Sequence, residues 1–215
     1  MKIDVAQAVG AVVRTVEQRD HNGRPARIVI AMRTYDAEAA EVWDAMTRPE
    51  RIPRWFLPVS GDLRLGGRYQ LKGNAGGQIV GCEPPRLLSV TWEFGGEVSW
   101  LTVRLSEPGK GKTLLKLEHV AHVEDARWKQ FGPGAVGVGW DMALMGLGRH
   151  LATGGSADPK AAMAWLGSPE GKTFVAMSSN DWGRASVAAG TDAAQAHAAA
   201  ERTTAAYTGA APSTK

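Results

Sequence analysis

Apolar and polar residues alternate with a period of two along four stretches of the chain. Arg27, Val29, Ala31 and Arg33 alternate with Ile28, Ile30 and Met32. Leu88, Val90, Trp92 and Phe94 alternate with Ser89, Thr91 and Glu93. Ser99, Leu101, Val103 and Leu105 alternate with Trp100, Thr102 and Arg104. Leu115, Leu117, His119 and Ala121 alternate with Leu114, Lys116, Glu118 and Val120. Successive side chains of a strand point to opposite faces, so this period predicts half-buried strands. Turn residues punctuate them. Asn22-Gly23 supplies the positive φ angles of a tight hairpin between strands at about 10–19 and 25–35. A helical turn is allowed before Gly10. Gly66-Gly67 opens a strand at about 68–72, residues 74–77 turn into another at about 78–83, and Pro84-Pro85 ends it. Gly95-Gly96 and residues 108–112 make further turns. Strands joined this closely pair with their sequence neighbours, which predicts an antiparallel meander.

Other stretches carry helical spacing. Ala39, Val42, Trp43 and Met46 form one apolar stripe. Asp36 is the predicted N-cap, with Glu38 and Glu41 in the first turns, where the helix dipole favours negative charge. Pro49 and Pro53 stop this helix, and Trp55-Phe56-Leu57-Pro58 follows as an apolar wedge. A long late helix starts near Pro133 as its N1 residue. Its apolar face is Val136, Trp140, Ala143, Leu144, Leu147 and Leu151. Gly137, Gly139, Gly146 and Gly148 interrupt it, and each glycine costs ~1 kcal/mol against alanine in a helix interior. Close backbone approach or space left for a ligand would offset that cost.

After Gly154-Gly155-Ser156 the chain reads as helical. Asp158-Pro159 and Ser168-Pro169 are cap-plus-N1 signals. Phe174, Met177, Trp182 and Ala185 suggest one helix face, and an Ala-rich helix runs from about 192 to 207. Low side-chain volume forces that last helix to dock by a narrow stripe. The expected organisation is a domain at 1–155, a helical extension at 156–208 packed on it, and a disordered tail at 209–215.

Composition narrows the function classes. The 215 residues fit one domain with room for an elaboration. Eight Trp stand against three Tyr and four Phe. Such rings bring large buried areas and polar edges that sit where a core opens onto a cavity. No apolar run approaches ~20 residues, so no integral membrane segment is expected. The apolar run at 10–13 is too short for a secretory core. The lone Cys82 cannot make an internal disulfide, which suits a reducing cytoplasm; its strand position predicts a buried, inert thiol. The net charge of +3 comes without a basic stripe interleaved with aromatics, which excludes nucleic acid as a partner. Arg48, Arg51 and Arg54 read as a solvated rim.

The order of elements resembles the START-like superfamily, also called SRPBCC or helix-grip proteins, and within it the branch named after activators of a heat-shock chaperone ATPase. The matching pieces are RTYDAEAAEVWDAMTRPERIPRWF, DLRLGGRY, GGQIVGCEPPRLLSVTWEF, LKLEHVAHV and GWDMALMGLGRHL, over about 28–151. The resemblance implies an α+β helix-grip fold: a curved antiparallel sheet wrapped around a long C-terminal helix, with a deep cavity between them. It implies binding of a hydrophobic or amphipathic small molecule. A minority of such proteins are cyclases or hydrolases, and the branch name adds a protein-binding chaperone cofactor as a further alternative.

Candidate chemistry is sparse. His119 shares a face with Leu115 and Leu117 and is expected to point inward, where an imidazole can orient a ligand or move a proton. The competing role is a core histidine satisfied by a backbone carbonyl. Asp141, after Trp140 on the late helix, could orient His119 in an enzyme or anchor a polar ligand; a charge on the solvent side of the helix or a structural bond to the strand hairpins competes with that. The expected ligand-lining set is Trp43, Trp55, Phe56, Tyr69, Trp92, Phe94, Leu101, Val103, His119, Trp140 and Leu144. Trp100 falls on the face opposite Leu101. His119 and His122 lack a third ligand at credible spacing, so no metal is expected, and no cofactor. The glycine pairs are turn residues, and neither a phosphate loop nor a nucleophile elbow occurs. A homodimer is left open.

Overall fold

The computed structural model describes residues 3–209, so the disorder expected beyond Gly209 falls outside the described residues. A short helix α1 (Val5–Gly10) leads into strands β1 (Val12–His21) and β2 (Arg24–Tyr35), then helix α2 (Ala39–Thr47) and a 3-10 turn at Ile52–Arg54. Six strands follow: β3 (Val59–Gly61), β4 (Arg68–Leu71), β5 (Gly76–Glu83), β6 (Leu87–Phe94), β7 (Glu97–Gly109) and β8 (Lys112–Ala121). The helices α3 (Asp125–Phe131), α4 (Gly134–Thr153), α5 (Pro159–Gly167), α6 (Pro169–Ala188) and α7 (Ala193–Thr208) complete the chain. The strands form one curved antiparallel sheet in the order β1-β2-β8-β7-β6-β5-β4-β3. The architecture is the expected α+β helix-grip, with added C-terminal helices.

Local details explain most boundaries. Asn22 and Gly23 take φ of 52° and 74°, as the hairpin between β1 and β2 requires. Asp158, Ser168 and Asp192 each accept a backbone N–H at the start of a helix. The expected cap at Asp36 is not made. Helix α2 begins three residues later, and Asp36 instead forms an ion pair with Lys112. The helix N-cap is Glu38, whose side chain makes no capping bond. Pro133 sits just before α4 and gives its carbonyl to Gly137 N–H. Val136 stands 40% exposed, so the buried face of α4 runs through Val138, Asp141, Leu144, Met145 and Leu147 rather than through Val136. The short helix α3 had no clear periodic signal.

The described residues cluster into two compact units, one of residues 3–31, 122–142 and 158–209, the other of residues 32–121 and 143–157. In the first, α6 packs on α1, β1 and α7. Four consecutive residues of β2, Ile28, Val29, Ile30 and Ala31, are buried, so this strand is covered on both faces. Phe174, Val175 and Trp182 of α6 are fully buried, while Met177 is half-buried. Helix α7 docks by the narrow stripe Ala196, Ala199, Ala200 and Thr203.

In the second unit α2 packs against β7 and β8. The core is built from Tyr35, Val42, Ile79, Val90, Leu101, Val103, Leu105, Leu115 and Leu117, with Leu144 and Leu147 of α4. Arg51 is no solvated rim residue. Its guanidinium pairs with Asp44 and Glu41, at 2.7 Å each, and donates to Nε2 of the buried His150, whose Nδ1 lies 2.8 Å from the Gly155 carbonyl. Cys82 is half-exposed on β5 rather than buried.

Candidate functional site

The strand register assembles one apolar face of the second unit. Val90 of β6 lies opposite Leu101 of β7, and Leu101 opposite His119 of β8. Val103 pairs with Leu117, Leu105 with Leu115, and Trp92 with Ser99. Residues directly across an antiparallel pair share a face. Leu101, Val103, Trp92 and His119 therefore stand together, as the alternation predicted. Trp100 occupies the other face, between Thr91 and Val120.

His119, together with Ser99, is the polar exception on this face. It is 6% exposed. Its Nε2 lies 2.8 Å from Ser99 Oγ, and the Ser99 hydroxyl donates to the Trp92 carbonyl at 3.1 Å. With its one proton given to Trp92, Ser99 Oγ accepts from Nε2–H, which makes Nδ1 the acceptor nitrogen. The Trp92 ring meets the imidazole edge to face, centroids 6.1 Å apart. Burial pushes the His119 pKa down to about 4, so the ring is neutral near pH 7.

Helix α4, from Ala143 onward, meets the end of β2 and the segment around Trp55. Tyr35 Oη donates to the Leu144 carbonyl at 3.0 Å, and burial pushes its phenol pKa up. Trp55 donates from Nε1 to the Ala45 carbonyl at 2.9 Å and stacks on Phe56, centroids 5.4 Å apart. A Cβ on Gly146 would stand 2.6 Å from the Trp55 carbonyl oxygen. A Cβ on Gly148 would stand 3.0 Å from Arg33 and 3.3 Å from Tyr35. These two glycines let the wedge and the end of β2 reach the helix backbone. Tyr69 is 9% exposed and donates to the Thr91 carbonyl at 2.8 Å; burial pushes its phenol pKa up too. Trp43 is half-buried on α2. Phe94 stands 59% exposed at the β6–β7 hairpin.

Trp140 and Asp141 belong to the first unit. Asp141 is 1% exposed, and its Oδ2 accepts from Arg14 Nε at 2.9 Å, Ser178 at 2.5 Å and Trp182 Nε1 at 3.2 Å. Arg14 also pairs with Asp181 at 3.0 Å. Burial pushes the Asp141 carboxyl up, while Arg14, Ser178 and Trp182 pull it down. This cluster ties α4 and α6 to β1, and it places the carboxylate in the interior rather than on the solvent side of the helix. Sequence reasoning singled out neither Ser99, the partner of His119, nor Arg33. Ser99 stands on the inward side of an alternating strand, which was the available signal; β2 is covered on both faces and offers no such signal for Arg33. Among the described residues no group of three His, Cys, Asp or Glu could hold a metal, and no helix is long and apolar enough to cross a membrane.

The chain is similar to known proteins in family and fold. The family model described as Activator of Hsp90 ATPase homolog 1-like protein matches residues 36–152. The crystal structure of CalU16 from Micromonospora echinospora is 39% identical, covers 78% of this chain and 98% of its own, and superposes with a TM-score of 0.59. The solution structure of CalU16 is 37% identical, covers 88% and 97%, and gives a TM-score of 0.66. Both matches cover more of the chain than the residues up to Thr153 account for, so part of the C-terminal extension is shared with CalU16. EF2215 from Enterococcus faecalis, 16% identical over 87% of this chain and 96% of its own, shares the fold with a TM-score of 0.59. No curated protein sequence matches the chain.

Proposed function

The chain belongs to the Activator of Hsp90 ATPase homolog 1-like protein family, and on that footing we propose that it binds a hydrophobic or amphipathic small molecule on the inner face of the sheet, beside α4 from Ala143 onward. One observation carries the reading. A Ser99–His119 pair with Trp92 against it stands in a face otherwise made of Val90, Leu101, Val103, Leu105, Leu115 and Leu117. Small-molecule sites have this composition: mostly apolar and aromatic walls with a few polar groups that fix orientation. Affinity comes from apolar burial, at ~25 cal/mol per Å². The His119–Ser99 pair orients a hydroxyl of the guest, and Trp92 supplies a flat apolar wall.

A hydrolase or cyclase built on His119 is less well supported. Burial leaves the imidazole a weak base, and its Nε2 faces the Ser99 hydroxyl. The chaperone-cofactor reading rests on the family description alone. Native mass spectrometry of the protein purified from its own host tests the proposal. The expected spectrum contains a small-molecule adduct that is lost on denaturation. The bare polypeptide mass as the sole species contradicts it.

A further inference from the structure

Arg33 lies near the end of β2, on the same face as Tyr35. Its guanidinium carbon sits over the Tyr35 ring, 5.3 Å from the centroid. The Nη2 atom would be 3.0 Å from a Cβ on Gly148, so the glycine leaves the cation its room against α4. Two of its three nitrogens, Nε and Nη1, are closed off from solvent and have no hydrogen-bond partner. Other covered arginines of the chain are engaged: Arg14 by Asp141 and Asp181, Arg51 by Asp44, Glu41 and His150.

Such an arrangement is costly, because buried N–H donors left unmade forfeit their solvation without return. A lysine or histidine could escape by losing its proton; a guanidinium cannot. The Tyr35 ring offers a cation–π contact but no negative charge. Its hydroxyl is committed to the Leu144 carbonyl, and burial keeps the phenol protonated. What satisfies open guanidinium donors best is an oxyanion, through charge-assisted bonds.

Resting on the binding reading above, we infer that Arg33 anchors a carboxylate on the small molecule, so that the guest is an amphipathic acid with its apolar body on the Trp92–Leu101 side. His119 then contacts the body of the guest and Arg33 its head. Gly148 serves this site by leaving the guanidinium unobstructed.

A matched pair of probes tests the inference: 2-naphthylacetic acid and 2-naphthylacetamide, alike in size and ring and different in charge. Each is titrated calorimetrically into the full-length protein, Arg33→Met and Arg33→Lys at neutral pH. The expected result is acid binding at least about tenfold tighter than amide binding in the wild type, a gap of about 1.4 kcal/mol. Arg33→Met removes the preference by weakening the acid at least about tenfold more than the amide, and Arg33→Lys keeps part of it. Equal affinities in the wild type, or an acid preference that survives in Arg33→Met, overturn the inference and leave water as the partner of the guanidinium. Should Arg33→Met fail to fold, the wild type decides by salt. Acid affinity that falls with ionic strength while amide affinity does not supports Arg33; parallel behaviour of the two overturns it. Binding of both probes without discrimination defeats the inference about Arg33 alone, whereas binding of neither defeats the small-molecule reading as well.

Discussion

The indole of Trp182 occupies the space that a side chain on Gly137 would need: a Cβ there would stand 2.3 Å from its Cε2. The ring is fully buried and donates to Asp141 one turn further along α4. The other three glycines of α4 also face close neighbours. Gly139 meets the Tyr207 hydroxyl, Gly146 the Trp55 carbonyl, and Gly148 Arg33 and Tyr35. The loss of helix propensity is offset by close approach.

Gly137→Ala therefore reverses the usual sign. In an open helix interior the change gains ~1 kcal/mol. Here Trp182 must shift, and the expected net loss is about 1–3 kcal/mol in urea unfolding. Gly10→Ala, with nothing within 4 Å of the new Cβ, is the control and is expected to cost nothing. Equal responses of the two variants contradict the packing argument.

Asp141→Ala leaves Arg14 without its most buried partner; the two side chains are 0% and 4% exposed. Removing one member of a buried pair costs about 3–5 kcal/mol, because the remaining charge stays buried. Arg19→Ala removes an ion pair with Glu17 whose side chains are about half exposed, and it should cost at most about 1 kcal/mol. Chemical denaturation of both variants measures the contrast, and similar small losses would show that Arg14 finds enough compensation in Asp181.

His119 makes stability depend on pH. Its folded pKa of about 4 lies below the ordinary 6.5, so the unfolded chain takes up a proton first as pH falls. Stability is complete above about 6.5, declines between 6.5 and 4, and has lost this contribution below 4. The loss is on the order of 3 kcal/mol. His119→Gln should flatten the stability profile in that window. An unchanged slope in the variant would assign the acid sensitivity to other groups.

A chain ended after Gly155 lacks Ser178, Asp181 and Trp182, which hold Asp141 and Arg14. It also lacks Phe174 and Val175, which are fully buried in the first unit. The truncated protein is expected to lose its cooperative thermal transition and its near-ultraviolet circular dichroism. A sharp melt near the full-length midpoint would mean that the extension is dispensable.

Much of the sheet was legible because each strand from β6 to β8 has one covered and one wetter face, and such faces write a period of two into the chain. His119 was placed correctly for that reason: the spacing from Leu115 and Leu117 fixes its face without further knowledge. Arg33 was harder. In β2 both faces are buried over Ile28 to Ala31, so alternation there does not say which side is inward, and an arginine reads as solvent-facing by default. Asp36 has the right identity for a cap, yet Lys112 from a strand distant in sequence takes its carboxylate. Arg51 looked like one of three surface cations because Glu41, Asp44 and His150 are brought to it only by the fold. Local chemistry is readable from local sequence; long-range partners are not.

The central claim is that the Trp92–His119 face receives a small molecule. The most direct measurement follows the indole N–H signals of 15N-labelled protein during titration with 2-naphthylacetic acid. Saturable shifts are expected at Trp92 and Trp55, together with the imidazole of His119, while Trp165 and Trp182 stay in place. Shifts confined to Trp165 and Trp182, or no saturable change at Trp92, would contradict the account.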